Sequence, residues 1–231
     1  MGNDLKTVIY EFYGLTGCGK STVSHLLAEH LRSEGWKVAE PTFVLDHKKN
    51  KFFRKFYKMI MAVLYAIKQP KLFFFCKEIV KKCGYCSISE AMSQIINLMM
   101  KYFLIAQYQK SDFIIFDEGF YQAAVALAVK EKPDYSEKIL RCLLKRVEEQ
   151  YDFKPVYLMT DIECALRNME MRLTNDSRIE REPDDKRKRT MLANYQKACD
   201  AVKGMNSLCI DVQEKTPYTI MFLVKTGLKQ K

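Results

Sequence analysis

Gly14-Leu15-Thr16-Gly17-Cys18-Gly19-Lys20-Ser21-Thr22 is the stretch whose residue types and spacing best support chemistry. Gly14, Gly19, Lys20 and Ser21 keep the G-x-x-x-x-G-K-[ST] spacing of a loop that binds nucleotide phosphates. Glycines let the backbone wrap an anion with its amide N–H groups turned inward. A lysine after the last glycine reaches the β- and γ-phosphates, and the next hydroxyl ligates Mg²⁺. Gly14, Thr16, Gly17, Cys18, Gly19, Lys20, Ser21 and Thr22 are therefore the expected donor-nucleotide site. A second signal is Phe113-Ile114-Ile115-Phe116 running into Asp117-Glu118. A carboxylate at the end of an apolar strand suits Mg²⁺, which prefers hard oxygens and keeps several waters. Ser21 and Asp117 are thus the expected metal ligands.

Two glutamates could act as general base. Glu40 ends a second apolar run, and Glu118 adjoins Asp117. Either could accept a proton from an acceptor hydroxyl, and Glu118 could instead polarise a water. Arg172, Arg178 and Arg181 lie in a charged segment over about 172–190. Guanidinium forks there would stabilise charge spread over a moving phosphoryl group, and a mobile lid carrying them would exclude water. The alternative is a solvated charge run on a helix surface.

These residues need elements to position them. Residues 7–13 are β-branched and aromatic, as a buried strand requires, and residues 21–34 carry a one-sided apolar pattern. Further strands are expected at 36–40, 113–116, 156–160 and 208–212. Helical segments fill most of the intervals, and Thr216-Pro217 opens the last one. Alternating strands and helices imply a parallel sheet covered on both faces, with ligands at the carboxyl ends of its strands. The glycine loop, Glu40 and Asp117-Glu118 all fall at such ends.

The stretch 47–110 reads as mostly helical. Phe52, Phe53, Phe56, Ile60, Val63, Leu64 and Ile67 share one face. We expect Phe53, Phe56, Ile60 and Val63 to pack inward, leaving Lys48, Lys49, Lys51, Arg54, Lys55 and Lys58 on the wet side. A second face collects Ile88, Met92, Ile95, Ile96, Met99 and Phe103. Gln94, Tyr102 and Gln107 are candidate acceptor contacts. Cys83-Gly84-Tyr85-Cys86 is a lone C-x-x-C without the further ligands a zinc site needs.

The chain's 231 residues, 48% hydrophobic, suffice for a sizeable core. No apolar run approaches the ~18 residues of a membrane span, and with Asp4 and no early apolar run we expect no secretory signal. Eight scattered cysteines suit a reduced cytoplasm. A net charge of +10 suits nucleic acid, an anionic membrane surface or a polyanionic small molecule, and the basic insert would carry a weak contact of that kind.

In this order, phosphate loop, Glu-Pro after strand two, acid after strand three and arginines after strand four resemble the P-loop kinases of the thymidylate kinase and deoxynucleoside kinase group. The resemblance spans nearly the whole chain, and the phosphate loop is its tightly specific part. It implies an α/β, three-layer P-loop NTPase fold in one domain over 1–231. The sheet would be five-stranded and parallel, of order 2-3-1-4-5, with a helical acceptor-binding insert at about 47–110 and a lid at about 172–190. In that group the strand-two glutamate lies near the acceptor, and in the deoxynucleoside kinases it serves as base; that position here is Glu40. Asp176-Ser177-Arg178-Ile179-Glu180 resembles the Asp-Arg-x-Glu lid motif with one residue inserted. The group usually places an arginine after the strand-three acid, where this chain has Glu118. That reverses the local charge and makes an uncharged hydroxyl at least as plausible an acceptor as a nucleoside monophosphate. The expected activity is transfer of the γ-phosphate of ATP, with Mg²⁺, to a small-molecule acceptor by a cytoplasmic enzyme, as a monomer or a homodimer. The rivals are a P-loop ATPase or GTPase using Glu118 to activate water, and a membrane-surface or nucleic-acid-binding adaptor.

Overall fold

The computed structural model describes residues 7–46, 51–85, 87–129, 133–171, 179–203 and 206–229. Five strands form one parallel sheet: β1 (Val8–Gly14), β2 (Val38–Ala39), β3 (Phe113–Phe116), β4 (Asp152–Met159) and β5 (Leu208–Asp211). Their order is β2-β3-β1-β4-β5, as the resemblance implies. β1 is central, with Val8 opposite Phe113 on one side and Asp152 on the other.

Strand β1 is buried on both faces. Phe12 packs with Leu27, Ile220 and Val224 from α1 (Lys20–Ser33) and α10 (Pro217–Lys229). Ile9 and Tyr13 face the larger core. That core is built from α5 (Ile88–Gln107), α6 (Phe120–Ala128), α7 (Pro133–Gln150) and α9 (Asp185–Val202). A third cluster joins Leu15 of the glycine loop to Ala165 and Met169 of α8 (Ile162–Glu170), Ile179, and Leu192 of α9. Thr216 Oγ1 accepts the Thr219 N–H, so the expected proline-led cap of α10 is present.

Several boundaries differ from expectation. β2 is only two residues of the expected 36–40, and Pro41 opens a short helix, α2 (Pro41–Asp46). Proline lacks the N–H that a first helical residue does not need. β4 starts at Asp152 rather than 156 and runs through Pro155. That proline precedes the first β4–β5 pair, Val156 with Leu208, so its missing N–H is tolerated. Residues 185–190 of the expected lid belong to the start of α9, whose first turn is capped by the Asp184 carboxylate accepting from Arg187 N–H.

The insert contains α3 (Lys51–Lys68), α4 (Pro70–Lys82) and α5. The expected orientation of α3 is reversed. Phe52, Phe53, Phe56, Val63, Leu64 and Ile67 are exposed, and the inward face is Tyr57, Met61, Ala62, Tyr65 and Ala66. α3 has two apolar stripes. The small alanines admit close approach to α5, and Tyr65 meets Phe103 edge-on at 5.9 Å. Arg54 and Lys58, expected on the wet side, are half-buried; Lys55 is exposed. On α5, Ile88 and Met92 are exposed, whereas Ile95 and Met99 join the core. Cys142 is exposed rather than enclosed, and Cys83 is buried while Cys86 lies outside the described residues.

Candidate active site

The glycine loop bridges β1 and α1 with three glycines, Gly14, Gly17 and Gly19, at positive φ. Gly17 is required twice over. Its φ is 92°, and a Cβ there would lie 2.5 Å from the Ala165 carbonyl oxygen. The Asn168 amide donates to the Gly17 carbonyl at 2.9 Å, so α8 fastens the loop. Cys18 is buried, Thr16 half-buried, and Ser21 and Thr22 stand exposed at the start of α1. That helix offers its free N–H groups and positive dipole end to an anion.

Lys20 folds back over the loop, donating to the carbonyls of Gly14 and Leu15 at 3.1 and 2.9 Å. Both bonds go to main-chain oxygens, which an incoming phosphate can outcompete for a cation. Ser21 Oγ donates to Asp117 Oδ2 at 2.8 Å, so the structure brings the two expected metal ligands together. Asp117 Oδ1 is buried and has no hydrogen-bond partner among the described residues. A buried carboxylate oxygen without a partner is costly. An unused anionic oxygen beside a hydroxyl is the hard donor set that Mg²⁺ takes, so these residues fit the ion.

Glu40 and Glu118 differ sharply in setting. Glu40 is buried, and its oxygens are engaged: Oε2 with Arg32 at 2.6 Å and Oε1 with His25 Nδ1 at 3.0 Å. Arg32 also donates to the Val38 carbonyl, tying α1 to the end of β2. The Glu118 side chain is exposed. Its main-chain oxygen is held by buried Lys101 Nζ at 2.8 Å.

Behind Asp117 and Glu118 lies a buried network that the sequence reading missed. Glu11 Oε1 accepts the Gln122 N–H at 2.9 Å, and Gln122 Oε1 accepts the Gly14 N–H at 3.1 Å. Gly119 leaves room for Glu11, since a Cβ there would sit 2.3 Å from its carboxyl carbon. Burial pushes the Glu11 carboxyl up to about 7, against help from the α6 N–H groups and the Lys101 cation. Burial lowers Lys101, opposed by Glu11 and Glu118 and reinforced by the Lys58 cation. The insert thus brings positive charge toward the strand ends. The one sequence signal was a glutamate amid the apolar Tyr10-Glu11-Phe12.

Of the arginines, Arg172 and Arg178 lie outside the described residues, and Arg181 is exposed. Ile179 is buried against Leu15, so the chain leaving the expected lid is pinned to the glycine loop. Among the acceptor candidates, Tyr102 is fully buried against Phe120 and is core packing; Gln94 is half-buried and Gln107 exposed. Among the described residues, no cluster of three or more His, Cys, Asp or Glu side chains forms a metal site.

No protein-family model matches the sequence, and no curated protein matches it either. Solved structures do. Deoxyadenosine kinase from M. mycoides with bound dATP aligns at a TM-score of 0.54 and 18% identity, over 96% of this chain and 100% of that one. Thymidylate kinase from Candida albicans aligns at 0.57 and 15% identity, over 97% and 92%. At these identities the similarity is one of fold, and the chain has the fold of the P-loop nucleoside and nucleotide kinases.

Proposed function

We propose that the protein is a kinase that binds ATP with Mg²⁺ and transfers the γ-phosphate to a small acceptor, a nucleoside, a nucleotide or another hydroxyl-bearing metabolite. The observation that carries this is the Ser21–Asp117 pair at the mouth of the glycine loop, with a buried Asp117 oxygen left unpartnered. Similarity in fold to two nucleoside and nucleotide kinases supports the same class of reaction.

In this reading Gly14, Thr16, Gly17, Cys18, Gly19, Lys20, Ser21 and Thr22 hold the donor phosphates. Lys20 leaves its two carbonyls for the β- and γ-phosphates. Ser21 and Asp117 would hold Mg²⁺, which neutralises charge on the transferring phosphates. Glu118 is the better-placed base, because its carboxylate is exposed while the Glu40 oxygens are engaged by Arg32 and His25. Glu40 then acts by fixing the end of β2 to α1. The helices at 51–107 provide the acceptor side, and Arg172, Arg178 and Arg181 provide a lid over the donor.

A coupled ADP-release assay with nucleosides, nucleoside monophosphates, and plain and phosphorylated sugars tests the proposal. One or more acceptors should raise turnover well above the acceptor-free rate. Equal rates with and without every acceptor would sink the kinase reading and leave a hydrolase in which Glu118 activates water.

A further inference from the structure

We propose that the outer face of α3 docks the protein on an anionic lipid surface. Phe56, Met59, Val63, Leu64 and Ile67 recur at three- and four-residue intervals along one side of the helix, and all five are exposed. Ile67 is 72% exposed and Leu64 55%, on a face with no polar residue between them and Phe56. Leaving large apolar side chains in water is unfavourable by about 25 cal/mol per Å², so a contiguous stripe of them marks a contact surface.

Charge selects the occupant. Residues 51–82 carry nine lysines and arginines against one glutamate, which accounts for most of the chain's net +10. Lys55, Lys68, Lys71 and Lys77 are exposed beside the stripe and around the α3–α4 bend. α3 itself has no acidic residue. Two copies meeting through this face would set cation-rich helices against each other. An anionic bilayer complements both features: the apolar stripe enters the headgroup–acyl boundary and the lysines meet phosphate and carboxylate headgroups.

The helix lies on the surface rather than crossing it. Among the described residues no single helix is long and apolar enough to span a bilayer. Residues 52–68 and 70–82 together have the composition, but they bend by 117° at their junction. Leu72, Cys76, Ile79 and Val80 of α4 are buried in the protein core, so that helix is held against the protein, with Phe74 as its exposed large apolar side chain. The proposal does not rest on the phosphoryl-transfer reading.

Co-sedimentation of the full chain with vesicles tests it. The protein should bind phosphatidylcholine vesicles containing phosphatidylserine, bind pure phosphatidylcholine weakly, and lose binding as salt rises. The triple variant Phe56→Gln, Leu64→Gln, Ile67→Gln should lower the partition coefficient about tenfold or more while leaving the thermal melt unchanged, because all three side chains are exposed. Failure to bind the mixed vesicles would overturn the proposal. So would wild-type binding by the triple variant, which would mark simple electrostatic attraction. A dimer in light scattering that the same variant dissociates would assign the face to a second copy.

Discussion

Replacing Glu11 with glutamine isolates the buried charge behind the metal-binding carboxylate. The Glu11 carboxyl is raised from an ordinary 4.5 to about 7, chiefly by burial. A raised carboxyl favours the protonated form in the folded state. Its stabilising effect is fully present below pH 4.5 and is lost as pH rises through 7. Each pKa unit is worth about 1.4 kcal/mol, so the wild type should lose about 2–3 kcal/mol between pH 5 and pH 8 from this group alone. Glu11→Gln keeps an oxygen for the Gln122 N–H and lacks the titration. Its amide N–H₂ replaces Oε2, which is buried without a partner, and that costs about 1–3 kcal/mol at every pH. At pH 5 the variant should therefore be the less stable protein, and by pH 8 the difference should close or reverse. Removing the carboxylate also deepens the depression of Lys101, so a Glu11→Gln, Lys101→Met double variant apportions that share. Urea melts of nucleotide-free protein at several pH values give the measurement. A wild-type-minus-variant difference constant from pH 5 to pH 8 would refute the buried-titration argument.

The remaining predictions concern turnover. Lys20→Ala should remove activity by at least about a hundredfold with the melt unchanged, since among the described residues its hydrogen bonds are to two loop carbonyls; near-normal kcat would contradict its role. Asp117→Asn should raise the Mg²⁺ concentration for half-maximal rate more than it raises the Kd for nucleotide, and an unshifted Mg²⁺ titration counts against the Ser21–Asp117 site. Glu118→Gln should flatten the acid limb of the kcat–pH profile, whereas Glu40→Gln should mainly lower stability, because its carboxylate is ion-paired to Arg32 and hydrogen-bonded to His25; an unchanged Glu118→Gln profile means the base lies elsewhere.

The glycine loop was legible because its geometry is local: a handful of adjacent residues fixes the backbone path, whatever surrounds it. The strands were legible as apolar runs, and their order came from the resemblance. Asp117 was legible from the strand it ends. Glu11, Lys101 and Gln122 were not, because they come from β1, α5 and α6 and meet only through packing. Glu40 was visible as a carboxylate at a strand end, but its partners His25 and Arg32 are fixed by the angle at which α1 crosses β2. On α3 the pattern was read as a single apolar face expected to pack inward, and the second, smaller stripe went unnoticed. The larger stripe was the natural choice, and the smaller one, with its alanines, packs.

Because β1 is both the first strand and the middle one, the protein cannot build its phosphate site in the order in which it is synthesised. Val8 to Gly14 emerge first, yet their partners are Phe113–Phe116 and Asp152–Leu158. At roughly 5–20 residues per second, about 5–20 s of translation separate Gly14 from the first residues of β3, the earlier of the two partners. Through that interval the segment Val8-Ile9-Tyr10-Glu11-Phe12-Tyr13 has no strand to pair with, and Gln122, whose N–H its buried carboxylate accepts, has yet to be made. An ionised Glu11 in a strand that cannot yet be buried serves a different purpose there: it places one negative charge in the middle of an otherwise sticky apolar stretch. The charge that is costly in the finished protein thus protects the nascent one from association.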